Sequence, residues 1–195
     1  MTYQTSEPLQ HQTLQASNRS AQEVVRIVSE HGDISPAYQR GSVWTTEQRM
    51  GLIKSWLIGL PIPAVIVNDR FTANWPLNPA DSLPEGGFMF AVIDGKQRIE
   101  TARMWLAGDL AVPASWWESE LIESTHETDD GPYVTFTELT VTGQRKFSNR
   151  ALLPVIEAKV GSIAEEAALF LLINGSGTAQ TAEDMAIAAE IKEAG

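Results

Sequence analysis

One corner of the chain restricts the possible folds more than any other stretch. It is the sequence "FMFAVIDGKQRIETARMWLAG", from Phe88 to Gly108. Phe88 to Ile93 is an apolar run of strand length. Asp94, Gly95, Lys96, Gln97 and Arg98 follow it without a gap, and then Ile99, Ala102, Trp105 and Leu106 fall at helical spacing. The reading is a strand over Phe88–Ile93, a polar turn, and a helix from about Gln97 to Ala107 that stops at Gly108.

Such a corner suits an anion. The first N–H groups of a helix have no intrahelical partner, and the helix dipole is positive there. Gly95 lacks a Cβ, so a phosphate can approach the backbone closely. Lys96 and Arg98 add charge, and an arginine can hold phosphate through two parallel hydrogen bonds. Asp94 would repel phosphate unless it holds Mg²⁺ or orients an attacking water. A plainer alternative remains open: Asp94 caps the helix, Gly95 makes the turn, and Arg98 and Glu100 face solvent.

Glycines and prolines cut the rest of the chain into short units. Ser20 with Glu23 has the spacing of a capping box ahead of Val24, Val25, Ile27 and Val28, which predicts a short helix ending near Gly32. Thr45 with Gln48 predicts a second capped helix, Thr46 to Ile58, burying Met50, Ile53, Trp56 and Leu57. Gly59 stops it, and Pro61 and Pro63 prevent its resumption. Ala64–Asn68, Tyr133–Phe136 and "LLPVIEAKV" read as strands. "TELTVTGQRKFSN" reads as a turn and short helix, "AEEAALFLLIN" as an amphipathic helix, and Ala182–Glu193 as a last helix. Asp69–Gly87 and "ESTHETDDG" read as loops. Strands and helices alternate, so the expected class is α+β, a small mixed sheet flanked by helices. Residues 1–19, polar and without periodicity, are expected to form an arm, and 20–195 a single domain.

The chain has 195 residues, no cysteine and a net charge of −11. There is no disulfide or thiolate metal site to consider. No apolar run approaches the roughly 18 residues of a membrane helix, and Met1–Ser20 lacks an export signal; a cytoplasmic protein without a membrane partner is expected. The acidic balance argues against a protein that coats nucleic acid, because that work needs phosphate neutralisation. Arg40, Arg49, Lys54, Lys96, Arg98 and Arg103 gather in the middle of the chain. A local cationic site in an acidic protein fits a small polyanion better than a long duplex.

A second group, "AYQRGSVW", places Gln39 and Arg40 between Tyr38 and Trp44, a composition used in recognition. Stacking of Arg40 on Trp44 in a surface loop is the plainer account. The histidines carry little: His11 lies in the arm, His31 beside the Gly32 helix stop, and His126 in an acidic loop read as solvated.

Together these stretches resemble a known family. "ISPAYQRGSVWTTEQRMGLIKSWLIGLPIPAVIV" is similar to the opening of the N-terminal domain of GmrSD-type modification-dependent restriction enzymes. "VIDGKQRIETA" resembles that family's D-G-Q-Q-R signature, with Lys96 at the usual middle glutamine. "VTFTELTVTGQRKFSNRALLPVIEAKV" and "LFLLINGSGTAQTAEDM" resemble its later segments, in family order, and the likeness runs from about Ile34 to Met185. The wider superfamily is ParB/sulfiredoxin-like, and its small mixed sheet is the fold the resemblance implies.

The resemblance also implies a nucleotide site. Gly95, Lys96 and Arg98 would hold phosphates, with Gln39 and Arg40 facing them and Asn174 contributing. Asp94, Gln97 and Arg98 would be the catalytic residues, and Mg²⁺ on Asp94 the cofactor. The expected ligand is a nucleoside triphosphate, hydrolysed within a DNA restriction or phage-defence system. Alternatives are a ParB-like DNA nickase using the same residues, a non-catalytic nucleotide-gated adaptor, and a small-molecule kinase. The Trp content (Trp44, Trp56, Trp75, Trp105, Trp116, Trp117) leaves room for an interface with a nuclease subunit or host protein. Restriction enzymes of this type continue into an H-N-H-like nuclease module, and nothing resembling one is legible in this sequence; DNA would be bound weakly.

Overall fold

The structure is a computed structural model that describes residues 14–36, 44–71, 73–77, 83–84, 86–175 and 190–191. Within them lie strands β1 (Gln15–Ser20), β2 (Gly32–Asp33), β3 (Val65–Asp69), β4 (Phe90–Asp94), β5 (Ala111–Pro113), β6 (His126–Thr128), β7 (Gly131–Thr135) and β8 (Leu152–Ala158). The helices are α1 (Ala21–His31), α2 (Thr46–Ile58), α3 (Lys96–Ala107), α4 (Val141–Arg150) and α5 (Ile163–Gly175). The class is α+β, as expected.

The main sheet has the order β1-β8-β3-β4-β2. It is mixed: β3 runs parallel to β8 and antiparallel to β4, β2 is parallel to β4, and β1 is antiparallel to β8. A smaller antiparallel sheet, β5-β7-β6, lies beside it. Strand side chains alternate between the sheet's faces. Val65, Val67, Val92, Leu153 and Val155 point to one face and pack with Val24, Ile53, Trp56, Ile99, Trp105 and Phe147 of α1 to α4. Ile93 and Ala158 point to the other and meet Ala167 and Phe170 of α5, with Ile66 against them.

The helix ends behave as the sequence predicts. Thr45 and Gln48 form both halves of the capping box of α2, and Gly59, in the left-handed region, ends it. Ser20 Oγ accepts from Glu23 N–H at 3.1 Å to cap α1. The buried face of α2 differs from expectation: Arg49 and Leu52 are buried with Ile53 and Trp56, while Met50 and Leu57 are half-buried.

Two segments expected to be irregular are strands. The edge strand β1, Gln15–Ser20, takes in residues 15–19 of the stretch read as a polar arm, and Arg19 on it forms an ion pair with Glu157 of β8. His126–Thr128, read as loop, is β6 of a hairpin, and His126 Nδ1 lies 3.1 Å from Glu138 Oε2. The rest of the arm and most of the last predicted helix lie outside the described residues. The tryptophans mainly build core: Trp56, Trp75 and Trp105 are buried, and Trp44, Trp116 and Trp117 pack against the core half-buried.

A second polar network pins α5 to the sheet. Glu166 is fully buried and takes two hydrogen bonds from Arg70, at 2.8 and 2.7 Å, and one from Asn68 Nδ2 at 2.8 Å. Arg70 also lies over the Trp75 ring, 4.3 Å from its centroid.

Candidate functional site

β4 enters the corner beside β3, with Asp94 opposite Ile66 in the register. Gly95 has φ 95°, in the left-handed region that favours glycine. A Cβ there would lie 2.4 Å from Val65 Cγ1, so the turn also needs glycine to pack against the start of β3. α3 then opens at Lys96 with Gly95 as its N-cap and no capping side chain.

Asp94 is therefore not a helix cap. Its Oδ2 accepts from Arg98 Nη2 at 2.6 Å, one helical turn on. The same Nη2 donates to the Ala64 carbonyl at 3.2 Å, tying α3 to the residue before β3. Arg98 does not face solvent; its side chain is 14% exposed, and its Nε is buried without a partner among the described residues. An unsatisfied donor on a buried cation is costly, which sets this guanidinium apart from an ordinary surface arginine.

Lys96 Nζ donates to Ser35 Oγ at 2.6 Å. Gln97 Oε1 accepts from the Trp44 N–H at 3.3 Å and from Arg49 Nη2 at 3.4 Å. Ser35 and Trp44 thus attach to the first two residues of α3. The expected site residues Gln39 and Arg40 lie between them in sequence and outside the described residues. Asp94, Gly95, Lys96, Gln97 and Arg98 are brought together. Asn174 is on α5, one turn beyond Phe170, and its Nδ2 donates to the Phe170 carbonyl at 2.9 Å.

The sequence placed Arg49 only in a cationic group in the middle of the chain and gave it no partner at the corner. It is buried on α2, and its Nη1 donates to Thr101 Oγ1 at 3.0 Å, while Thr101 Oγ1 donates to the Gln97 carbonyl at 2.7 Å. Glu100 Oε2, 3.8 Å from Arg49 Nη2, compensates its charge. One signal was available: Arg49, Ile53 and Trp56 share the buried stripe of α2, and a cation on such a stripe needs a partner.

No group of three or more His, Asp or Glu that could hold a metal ion is gathered among the described residues. An ion at the corner would meet the Asp94 carboxylate already engaged by Arg98. A pocket of about 100 Å³ lies elsewhere, between α2 and α4, walled by Trp56, Trp116, Trp117 and Phe147. At its edge Lys146 donates to Glu118 at 2.5 Å, and that hydrogen bond holds the Glu118 carboxyl below the usual range. No helix among the described residues is long and apolar enough to cross a membrane.

Fold and corner define a mixed α+β domain in which an interior strand turns through a glycine into a helix with no side-chain cap, bearing basic side chains. The chain matches the family model described as GmrSD restriction endonuclease, N-terminal domain, over residues 24–187, and it belongs to that family. The match takes in Gln39, Arg40, Asp94 to Arg98 and Asn174. No curated protein and no solved structure matches the chain.

Proposed function

We propose that the β4–α3 corner binds the phosphates of a nucleoside triphosphate and that the chain hydrolyses it, as a nucleotide-handling domain of a restriction or phage-defence system in the cytoplasm. The observation that carries this reading is the start of α3, which has no capping side chain and bears Lys96 and Arg98. Its N–H groups and the Gly95 backbone meet phosphate oxygens, Lys96 adds a point charge, and Arg98 supplies directed donors. Water attacks the terminal phosphorus and the bond to the bridging oxygen breaks, so positioning and charge stabilisation are most of what the protein must supply. Asp94 orients that water. Gln39, Arg40 and Asn174 complete the phosphate site in this reading.

A lone carboxylate fits Mg²⁺ that arrives on the triphosphate, since such ions take one or two carboxylates along with phosphate oxygens and waters. When bound, the ion neutralises phosphate charge. Calorimetric titration of the chain with the four nucleoside triphosphates, with and without Mg²⁺, tests the proposal together with phosphate release. Binding of at least one of them is expected, and no heat with any would overturn it.

The family's description as a restriction endonuclease favours a second reading, in which the same corner cleaves a DNA phosphodiester. The net charge of −11 weighs against tight duplex binding. Nicking of supercoiled plasmid by the chain, lost in Arg98→Ala, would support this reading over the first. A separate nuclease subunit is the partner that the nucleotide-hydrolysing reading calls for.

A further inference from the structure

The pocket between α2 and α4 has walls that hold one another in place. Trp117 stacks on the buried Trp105, with ring centroids 6.0 Å apart and planes 16° from parallel. Phe147 of α4 leans on Trp117 at 6.2 Å and stands edge-on to Trp56 of α2 at 6.0 Å. Trp56 and Phe147 are each 3% exposed, so these rings are fixed by the core. The space they enclose with Trp116 is about 100 Å³. A single water needs only about 10–15 Å³ of such space, so a ring has room to enter. Aromatic walls with a few polar groups at the mouth are the usual make-up of a small-molecule site.

The edge of the pocket is cationic in a chain of net charge −11. Lys146 and Arg150, one helical turn apart on α4, both line it, against one carboxylate, Glu118. A third cation, Lys54, lies over the Trp116 ring, 5.4 Å from its centroid. Lys146 donates to Glu118, whose side chain is 59% exposed. An ion pair this open to water is weak, and an arriving anion can take the place of the carboxylate. We propose that the pocket is a second binding site, for a small planar aromatic ring that carries a carboxylate or phosphate. The ring lies among Trp56, Trp116, Trp117 and Phe147, and the anion meets Lys146 and Arg150. Glu118 competes with the ligand for Lys146. The site is separate from the β4–α3 corner and does not rest on the nucleotide reading.

The test uses the full chain and three probes: phenyl phosphate, phenol and inorganic phosphate. The readout is the Trp117 indole N–H signal in a ¹H–¹⁵N spectrum, identified by its loss in Trp117→Phe. Phosphate bound at the distant corner leaves this signal in place, so the readout separates the two sites. Phenyl phosphate should shift it in a saturable way. Phenol, which lacks the charge, should bind at least about tenfold more weakly, the scale of one charge-assisted hydrogen bond. Inorganic phosphate, which lacks the ring, should leave the signal unmoved. Arg150→Ala should weaken phenyl phosphate binding by about tenfold, whereas Glu118→Gln, which removes the competitor, should tighten it several-fold. Both changes are at exposed side chains, so the fold does not depend on them. A signal that phenyl phosphate does not move overturns the site. Equal affinity for phenol, or wild-type affinity in Arg150→Ala, overturns the anionic part of the ligand. An equal shift with inorganic phosphate overturns the ring. Weaker binding in Glu118→Gln overturns the competition and makes Glu118 a ligand-holding group instead.

Discussion

Arg98 Nη2 lies 2.6 Å from Asp94 Oδ2, so the cation and the carboxylate at the corner form an ion pair across Gly95. An incoming anion must compete with Asp94 for Arg98. Asp94→Asn removes that competitor and the repulsion between carboxylate and phosphate. The variant should bind nucleoside triphosphate as tightly as the wild type or tighter, yet lose turnover, because the role proposed for the carboxylate is to orient water. Calorimetry and single-turnover hydrolysis separate the two effects. Weaker binding in Asp94→Asn would mean that the carboxylate helps to hold the ligand, for example through Mg²⁺.

Arg98→Ala removes the directed donor and the tie to the Ala64 carbonyl. Affinity should drop by about tenfold to a hundredfold, the scale of a lost charge-assisted interaction. Far-ultraviolet circular dichroism should stay native. Unchanged affinity in the folded variant would remove the corner from the site.

Lys96 Nζ donates to Ser35 Oγ at 2.6 Å, which holds its ammonium beside the first turn of α3. Lys96→Gln should weaken triphosphate binding several-fold, with a larger loss at low salt than at high salt because screening weakens an exposed charge. Titrations at two ionic strengths give the result. Equal loss at both would assign Lys96 a steric or hydrogen-bonding role instead of an electrostatic one.

Gly95→Ala should be among the most damaging single-methyl substitutions in the chain. The added Cβ meets Val65 Cγ1 at 2.4 Å and Val65 Cβ at 2.9 Å, on a backbone at φ 95°. Strain and overpacking together should cost about 2–4 kcal/mol. In a double-mutant cycle with Val65→Ala, the part owed to Val65 Cγ1 should be relieved, while the contact with the Val65 Cβ and the backbone part should remain. Urea denaturation measures both, and strictly additive effects would place the clash elsewhere.

Glu166→Gln removes the buried carboxylate that pairs with Arg70 and should cost about 3–5 kcal/mol, whereas replacing both residues with methionine should cost much less. The midpoint of urea unfolding is the readout. A loss in the double variant as large as in the single one would show that the pair contributes more than mutual compensation.

What the sequence made legible was local. The capping box of α2, the glycine stops of α2 and α3, and the strand–glycine–helix corner all depend on neighbours within a few positions. The missed features depend on distant partners. "QASNRS" is polar and becomes β1 only because β8 lies beside it and Glu157 receives Arg19. Glu166 looks like its solvent-facing neighbour Glu165 until Arg70 and Asn68, far back in the chain, are brought to it. The corner was legible as a group of residues, but the pairing of Asp94 with Arg98 and the hold of Arg49 on Gln97 came only with the packing of α2 on α3. Gln39 and Arg40 fall outside the described residues.

The position of β8 between β1 and β3 has a consequence for how the chain is made. β3 meets Val155 through Val65, and among the described residues β1 has no neighbour in the sheet but β8. While the ribosome is still short of Leu152, one edge of β3 is an open row of donors and acceptors and β1 has nowhere to dock. Contacts that span so much of the sequence form slowly, and unpaired strand edges invite other chains. A chain cut off ahead of Leu152 should therefore accumulate in aggregates, even though the corner residues themselves would all have been synthesised.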